Sequence, residues 1–237
     1  CTFVGNASGG DGGAVHNLAG ALVMEDCVFK HNSAGLFGGG VRSVGGEVDA
    51  RRSTFFGNSA PFGGAMSNKS AELAITECRF RENRAATGGG GAIENRLSPC
   101  VITDSEFSGN VSGQGGGVFC NGRAHVIQNC TFRDNEARGG GGAIALVNVE
   151  IVEIHNCLFS ENRSNRGGGL FARGAEDLSV SNCTFLHNTA PFRGGAISVS
   201  FLHPLTVVNS IVWGNHAQPI SSLGSELLVT YSDVEFG

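Results

Sequence analysis

Tryptophan and tyrosine occur once each in these 237 residues, methionine twice and proline five times. So few large amphipathic rings argue against a sugar-stacking platform. Scarce proline and no Gly-X-Y period exclude a collagen-like chain despite 38 glycines. There is no run of Lys or Arg: 16 basic residues face 21 acidic ones, a formal net charge of -5. That leaves no electrostatic footprint for nucleic acid or an anionic membrane surface. No uninterrupted apolar stretch approaches the roughly 18 to 20 residues of a spanning helix, so no membrane span is expected. The sequence opens on Cys1, without an initiator Met or an apolar leader, and we expect a segment of a longer chain. Apolar residues make up 41% of it, enough for a packed core.

What is present is a repeat. Cys/Ser-x-Phe-x-x-Asn recurs with Phe3, Phe29, Phe55, Phe80, Phe107, Phe132, Phe159 and Phe185, and Val212 takes the ninth place. The Asn follows without exception, at Asn6, Asn32, Asn58, Asn83, Asn110, Asn135, Asn162, Asn188 and Asn215. A Gly-Gly-apolar block comes next, for example Gly63-Gly64-Ala65 and Gly116-Gly117-Val118. Apolar residues before the Cys/Ser alternate with period two, as in Leu73/Ile75 and Val152/Ile154, the sign of strands. Between the alternating runs sits a polar corner, Asp26, Arg52, Glu77, Asp104, Asn129, Asn156, Asn182 or Asn209. Asn and Asp tolerate the left-handed backbone a tight corner requires.

A unit of about 26 residues cannot bury its own apolar face and must stack on its neighbours. The expected fold is all-β: a right-handed parallel β-helix, or β-solenoid, of about nine coils with three short strands each. At about 4.8 Å per coil the rod is roughly 43 Å long. It forms a single domain over 1–237, with 216–237 an irregular C-terminal end carrying a last strand. The Phe column stacks in the core, and the Asn column forms a hydrogen-bonded ladder at a buried corner. Cys1, Cys27, Cys78, Cys130, Cys157 and Cys183 share a column with Ser53, Ser105 and Ser210. Equivalent Cβ atoms about 4.8 Å apart exceed disulfide spacing, so free stacked thiols are expected.

Phe80 to Asn83 with Gly90 to Ile93, Phe132 to Asn135 with Gly141 to Ile144, and Phe185 to Asn188 with Gly194 to Ile197 carry a double motif. It resembles the repeat of the polymorphic outer membrane proteins of bacteria, over residues 1 to about 215. The resemblance implies an exported passenger region, secreted or held at the bacterial cell surface and adhesive in some members.

Three candidate sites follow from column positions. Asp134, Glu161 and His187 stand just before the ladder Asn in successive coils. They are side chains of the type that holds a divalent cation, calcium in particular; the plainer reading is a solvated edge ion-paired locally to Arg81 or Arg133. His155 with Glu153 is a weaker pair of the same kind, and His125 falls in a core column. Met66, Ile93, Phe119, Ile144, Phe171 and Ile197 follow the Gly-Gly-apolar blocks. If they point outward they form an apolar stripe for a partner; if inward, they are core.

The outward residue between Cys/Ser and Phe runs Thr2, Val28, Thr54, Arg79, Glu106, Thr131, Leu158, Thr184 and Ile211, a mixture with no repeating ligand pattern. The Gly-His-Gly and paired-Asp signatures of polygalacturonase-like enzymes are absent. The reading is therefore a non-catalytic structural or adhesive segment, with no cofactor of its own, that presents a surface to a protein or glycan. Carbohydrate binding or cleavage is the alternative. Open strand edges at the ends lead us to expect end-to-end self-association.

Overall fold

The computed structural model describes residues 1–201 and 204–235. The domain assigned from the sequence covers residues 202–203 and 236–237 as well, which lie outside the described residues. The chain winds as a parallel β-solenoid of four sheets, with no helix among the described residues. The Phe sheet has ten strands, from Thr2–Val4 and Val28–Lys30 to Asp233–Val234. A short sheet of two-residue strands has seven, from Ala7–Ser8 to Arg163–Ser164. A glycine-flanked sheet has nine, from Val15–Leu18 to Ile220–Leu223. A fourth sheet of nine strands runs from Ala21–Glu25 to Leu227–Thr230.

Where the sequence spacing gives three strands per coil, the structure adds a fourth, the two residues after the ladder Asn. The reason lies in the corners. In the fifth coil, for example, positive φ occurs at Asp104, Gly109, Gly115 and Gly122. The polar-corner column is left-handed throughout, from Asp26 at 50° to Asn209 at 48°. Four left-handed corners divide a coil into four extended runs, one of them too short to show an alternation. Residues 216–235 are also more regular than their sequence suggests: Ile220–Leu223, Leu227–Thr230 and Asp233–Val234 each continue a sheet.

Register is strict. Phe80 pairs with Phe55 and Phe107, and Ile75 with Ala50 and Ile102. From Phe3 to Phe185 the rings stack face to face, with centroids 4.4 to 5.1 Å apart and planes within 8°. Each pair adds about 0.5 to 1.5 kcal/mol beyond the burial of its area. The inward columns of the fourth sheet, as with Leu73, Ile75, Val152, Ile154 and Val180, and of the glycine-flanked sheet, as with Met66, Ile93 and Ile144, fill the rest of the interior.

The glycine block sets how closely the coils approach. Its first residue takes positive φ, as at Gly115 and Gly141, and its second lies against the coil above. A Cβ on Gly116 would stand 2.2 Å from the Gly142 carbonyl oxygen. The third position is tight but admits Ala, and an apolar residue such as Met66 or Val118 follows, pointing into the core.

Candidate functional site

All the Asn residues of the expected ladder stack as one. Asn110 is typical: its Nδ2 donates to the Phe80 carbonyl and to Asn135 Oδ1, both at 2.9 Å. Its Oδ1 accepts from the backbone N and Nδ2 of Asn83 at 3.0 Å. Asn32 through Asn188 are fully buried, while Asn6 is exposed. The ladder therefore holds coils together and leaves none of its buried amides free to meet a ligand.

The Cys/Ser column is a second ladder, which the sequence reading treats only as small buried residues. Ser53 Oγ donates to the Arg51 carbonyl at 2.8 Å, and Cys78 Sγ to the Thr76 carbonyl at 3.3 Å, each bracing the left-handed corner residue. The Cys27 amide donates to Ser53 Oγ, and the Cys78 amide to Ser105 Oγ. A hydroxyl and a thiol serve equally as donor and acceptor here, which explains their interchange. All eight cysteines are free, and Cys1 alone is exposed.

Burial pushes the Cys78 thiol up to about 11 from 9.0. Because the folded value lies above the free one, its stabilising contribution is complete below pH 9.0 and is lost as the pH rises toward about 11, at a cost of about 3 kcal/mol. A thiol-specific reagent at about pH 8 should titrate Cys1 alone in the native state. Thermal melts should fall steeply above about pH 9, and Cys78→Ser should flatten that fall; a flat alkaline profile for the native chain would contradict it.

His125 lies in the core, 1% exposed, with Nε2 2.8 Å from the Gly122 carbonyl. It shares the interior with Cys100 and Cys120. Interaction with Cys120, together with burial, holds the Cys100 thiol well above its usual value. Burial disfavours a charged His125, but the nearby Cys120 sulfur, the Gly122 carbonyl and Glu150 together outweigh it and the ring value rises.

Asp134, Glu161 and His187 all lie exposed in a left-handed corner column that also holds Gly5, His31, Gly57, Glu82, Gly109 and Gly214. Their polar character follows from that backbone. Arg133 Nε reaches Asp134 at 2.9 Å and Glu161 at 3.9 Å. Among the described residues no group of three or more His, Cys, Asp or Glu is placed to hold a metal ion. His155 meets Glu153 at 3.4 Å and Ser181 at 2.5 Å.

The six residues of the candidate apolar stripe do not share one column. Met66, Ile93, Ile144 and Ile197 are wholly buried and pair in register with Val41, Val118 and Leu170. Phe119 and Phe171 sit one place further on, on the opposite face of the sheet. The slip arises at the coils with three glycines, Gly38 to Gly40, Gly115 to Gly117 and Gly167 to Gly169, where the first Gly-Gly pair and not the second matches Gly63-Gly64.

The outer face of this sheet is nevertheless covered. Arg42, Ser67, Glu94, Phe119, Ala145 and Phe171 point away from the core and are still buried, because the loops before the glycine block fold over them. Consecutive buried pairs such as Met66-Ser67 and Val118-Phe119 thus fill two interiors, the core on one side and a roofed groove on the other. In the N-terminal half of the groove, Ser67 Oγ donates to Glu94 Oε2 at 2.8 Å and accepts from Arg42 Nη1 at 2.6 Å. Arg96 Nε binds Glu94 Oε1 at 2.8 Å. The Arg42 guanidinium lies 4.5 Å from the Phe37 ring centroid, and Arg96 lies 5.3 Å from that of Phe119. Burial lowers Arg42, with Asp11 and Glu94 opposing. The charges of this half balance, Arg42 and Arg96 against Asp11 and Glu94, while Arg42 Nε and Asp11 Oδ1 are buried with no hydrogen-bond partner among the described residues. The C-terminal half opens into two hollows of about 320 and 280 Å³ around Phe171.

No helix among the described residues is long and apolar enough to cross a membrane. Residues 63–234 match the family model described as the right-handed beta helix region. No curated protein and no solved structure matches the chain.

Proposed function

Since the chain belongs to the right-handed beta helix region family, we propose that it is a non-catalytic structural rod that presents its outer surface to a partner. In this reading it is a passenger or display segment of an exported bacterial protein, secreted or held at the cell surface. The likeness of its Phe-x-x-Asn and Gly-Gly-Ala repeats to those of the polymorphic outer membrane proteins supports export and an adhesive role.

The observation that carries the reading is where the charged side chains go. Several pair with one another across coils on the outer faces: Arg81 with Glu106 at 2.7 Å, Arg133 with Glu161 at 3.9 Å, and Arg52 with Glu25 and Asp26. The Arg52 guanidinium holds the Asp26 carboxyl below its usual range. Exposed pairs of this kind keep a surface soluble and contribute little each.

One feature favours carbohydrate chemistry instead. A hollow of about 550 Å³ on the outside of the Phe sheet is lined by Arg52, Glu77, Arg79, Asp104, Glu106 and Asn129, carboxylates beside cations. The deciding experiment is incubation with a panel of polysaccharides, with and without calcium, followed by product analysis. Intact chains are expected throughout. Cleavage of any polysaccharide that Glu77→Gln or Asp104→Asn abolishes would replace the rod reading with an enzymatic one.

A further inference from the structure

The roofed groove changes character along its length. Toward the C-terminal end its hollows are lined by Arg166, Arg173 and Arg193, with Phe171 at the floor and Phe192 at the rim. All three arginines are exposed, and among the described residues none pairs with a carboxylate. No Asp or Glu lines either hollow. This contrasts with a chain whose formal net charge is -5 and most of whose other arginines, Arg52, Arg81, Arg96 and Arg133 among them, are paired; Arg84, Arg138 and Arg163 also lack a carboxylate among the described residues but line neither hollow. Beside the cations stand large apolar side chains with nothing over them: Phe192 is 68% exposed, Phe201 70% and Leu223 45%.

We propose that this end of the groove binds an acidic polypeptide segment of a partner protein, its carboxylates on Arg166, Arg173 and Arg193 and its apolar side chains on the exposed Phe192, Phe201 and Leu223. Each guanidinium offers a planar fork of donors that matches a carboxylate bidentately. Arginine together with exposed aromatic rings is the composition of a protein-binding hot spot. The floor is a sheet face whose backbone already pairs coil to coil, so recognition runs through side chains and not through strand addition. Three cations on an acidic rod do not suit a nucleic acid, which draws on many phosphate contacts. A uronic-acid polymer would satisfy the arginines but is hydroxylated where Phe192 and Phe201 offer apolar surface.

The proposal deepens the reading of the chain as a presenting rod by naming its partner's chemistry, and it fails separately from it. The test is fluorescence anisotropy with a short labelled peptide of alternating glutamate and leucine, against its glutamine and lysine counterparts and a labelled oligouronate. The glutamate peptide is expected to bind, to weaken with salt, and to lose at least about tenfold in affinity with Arg173→Glu or Arg193→Glu. Both substitutions are at exposed sites and should leave the melting temperature unchanged. Equal binding of the glutamine peptide, or no change in the two variants, would overturn the site. Arginine-dependent binding of the oligouronate in preference to the peptide would overturn the polypeptide assignment. Neither result bears on catalysis, which product analysis tests alone.

Discussion

Gly116→Ala is expected to lower the melting temperature by about 10 °C or more, or to prevent folding outright. The new Cβ would meet three backbone atoms at once: the Gly142 oxygen at 2.2 Å, the Glu136 nitrogen at 2.7 Å and the Glu136 oxygen at 2.8 Å. None is the movable tip of a side chain. The coils cannot part to make room, because the Gly116 amide donates to the Gly141 carbonyl at 3.1 Å and the Gly117 amide to the Ala143 carbonyl at 2.9 Å. Relief would break the ladder on both sides of the insertion, a cost of about 4 kcal/mol or more, at the upper end for a single methyl. Gly10→Ala is the control. Nothing lies within 4 Å of the Cβ built there, so its effect should stay within about 0.5 kcal/mol. Equal melting points for the two variants would mean that close coil approach does not require glycine at this position.

Asn110→Leu should be nearly as severe. Leucine fills the volume but leaves the Asn83 amide, the Asn83 Nδ2 and the Phe80 carbonyl with one partner fewer in a fully buried corner. At about 1 to 3 kcal/mol for each orphaned group, the expected loss is about 4 kcal/mol. Asn110→Asp gives a sharper signature. The carboxylate keeps the acceptor that faces Asn83 and loses the donor that faces Phe80 and Asn135, so it sits buried against two acceptor oxygens. Its folded-state value must lie well above that of a free carboxyl, and the variant should therefore gain stability as the pH falls and lose it as the pH rises. Asn6→Ala, at the exposed end of the ladder, should cost less than about 1 kcal/mol. Denaturant melts at two pH values separate these cases. A loss at Asn110 no larger than that at Asn6 would contradict a cooperative ladder.

The inward half of the molecule could be read from the sequence because stacking repeats each demand once per coil. A ring at Phe80 forces rings at Phe55 and Phe107, and an amide at Asn83 needs one at Asn110, so column and residue type coincide. The polar corners from Asp26 to Asn209 were legible for the same reason. The short strands were not, since two residues such as Arg84–Ala85 carry no period. The stripe beginning at Met66 was misaligned because a run of three glycines offers two equivalent pairs, and only the coil above decides which is in register. The Cys/Ser ladder was hidden by its chemistry: the column reads as small, and the bonds that define it run to carbonyls and amides that the sequence does not show.

Outward positions repeat no such demand, which is why the groove was invisible. Ser67, Glu94, Phe119 and Phe171 share a column and a burial but no chemistry. What covers them is a set of loops whose path depends on the coil beneath. Arg166, Arg173 and Arg193 are separated along the chain by seven and twenty residues, and nothing in that spacing announces that all three line one hollow. The same freedom lets the outer surface specialise while the columns beneath stay fixed.

The coils form one continuous stack welded by buried ladders, with the variable chemistry confined to the outside. Amide hydrogen exchange read by mass spectrometry tests it most directly. The interior ladder amides, those of Asn58, Asn83, Asn110, Asn135 and Asn162, should be protected alike and should open together, with protection falling only toward Asn6 and the last strands. Separate blocks of coils opening at widely different rates in the middle of the rod would contradict it.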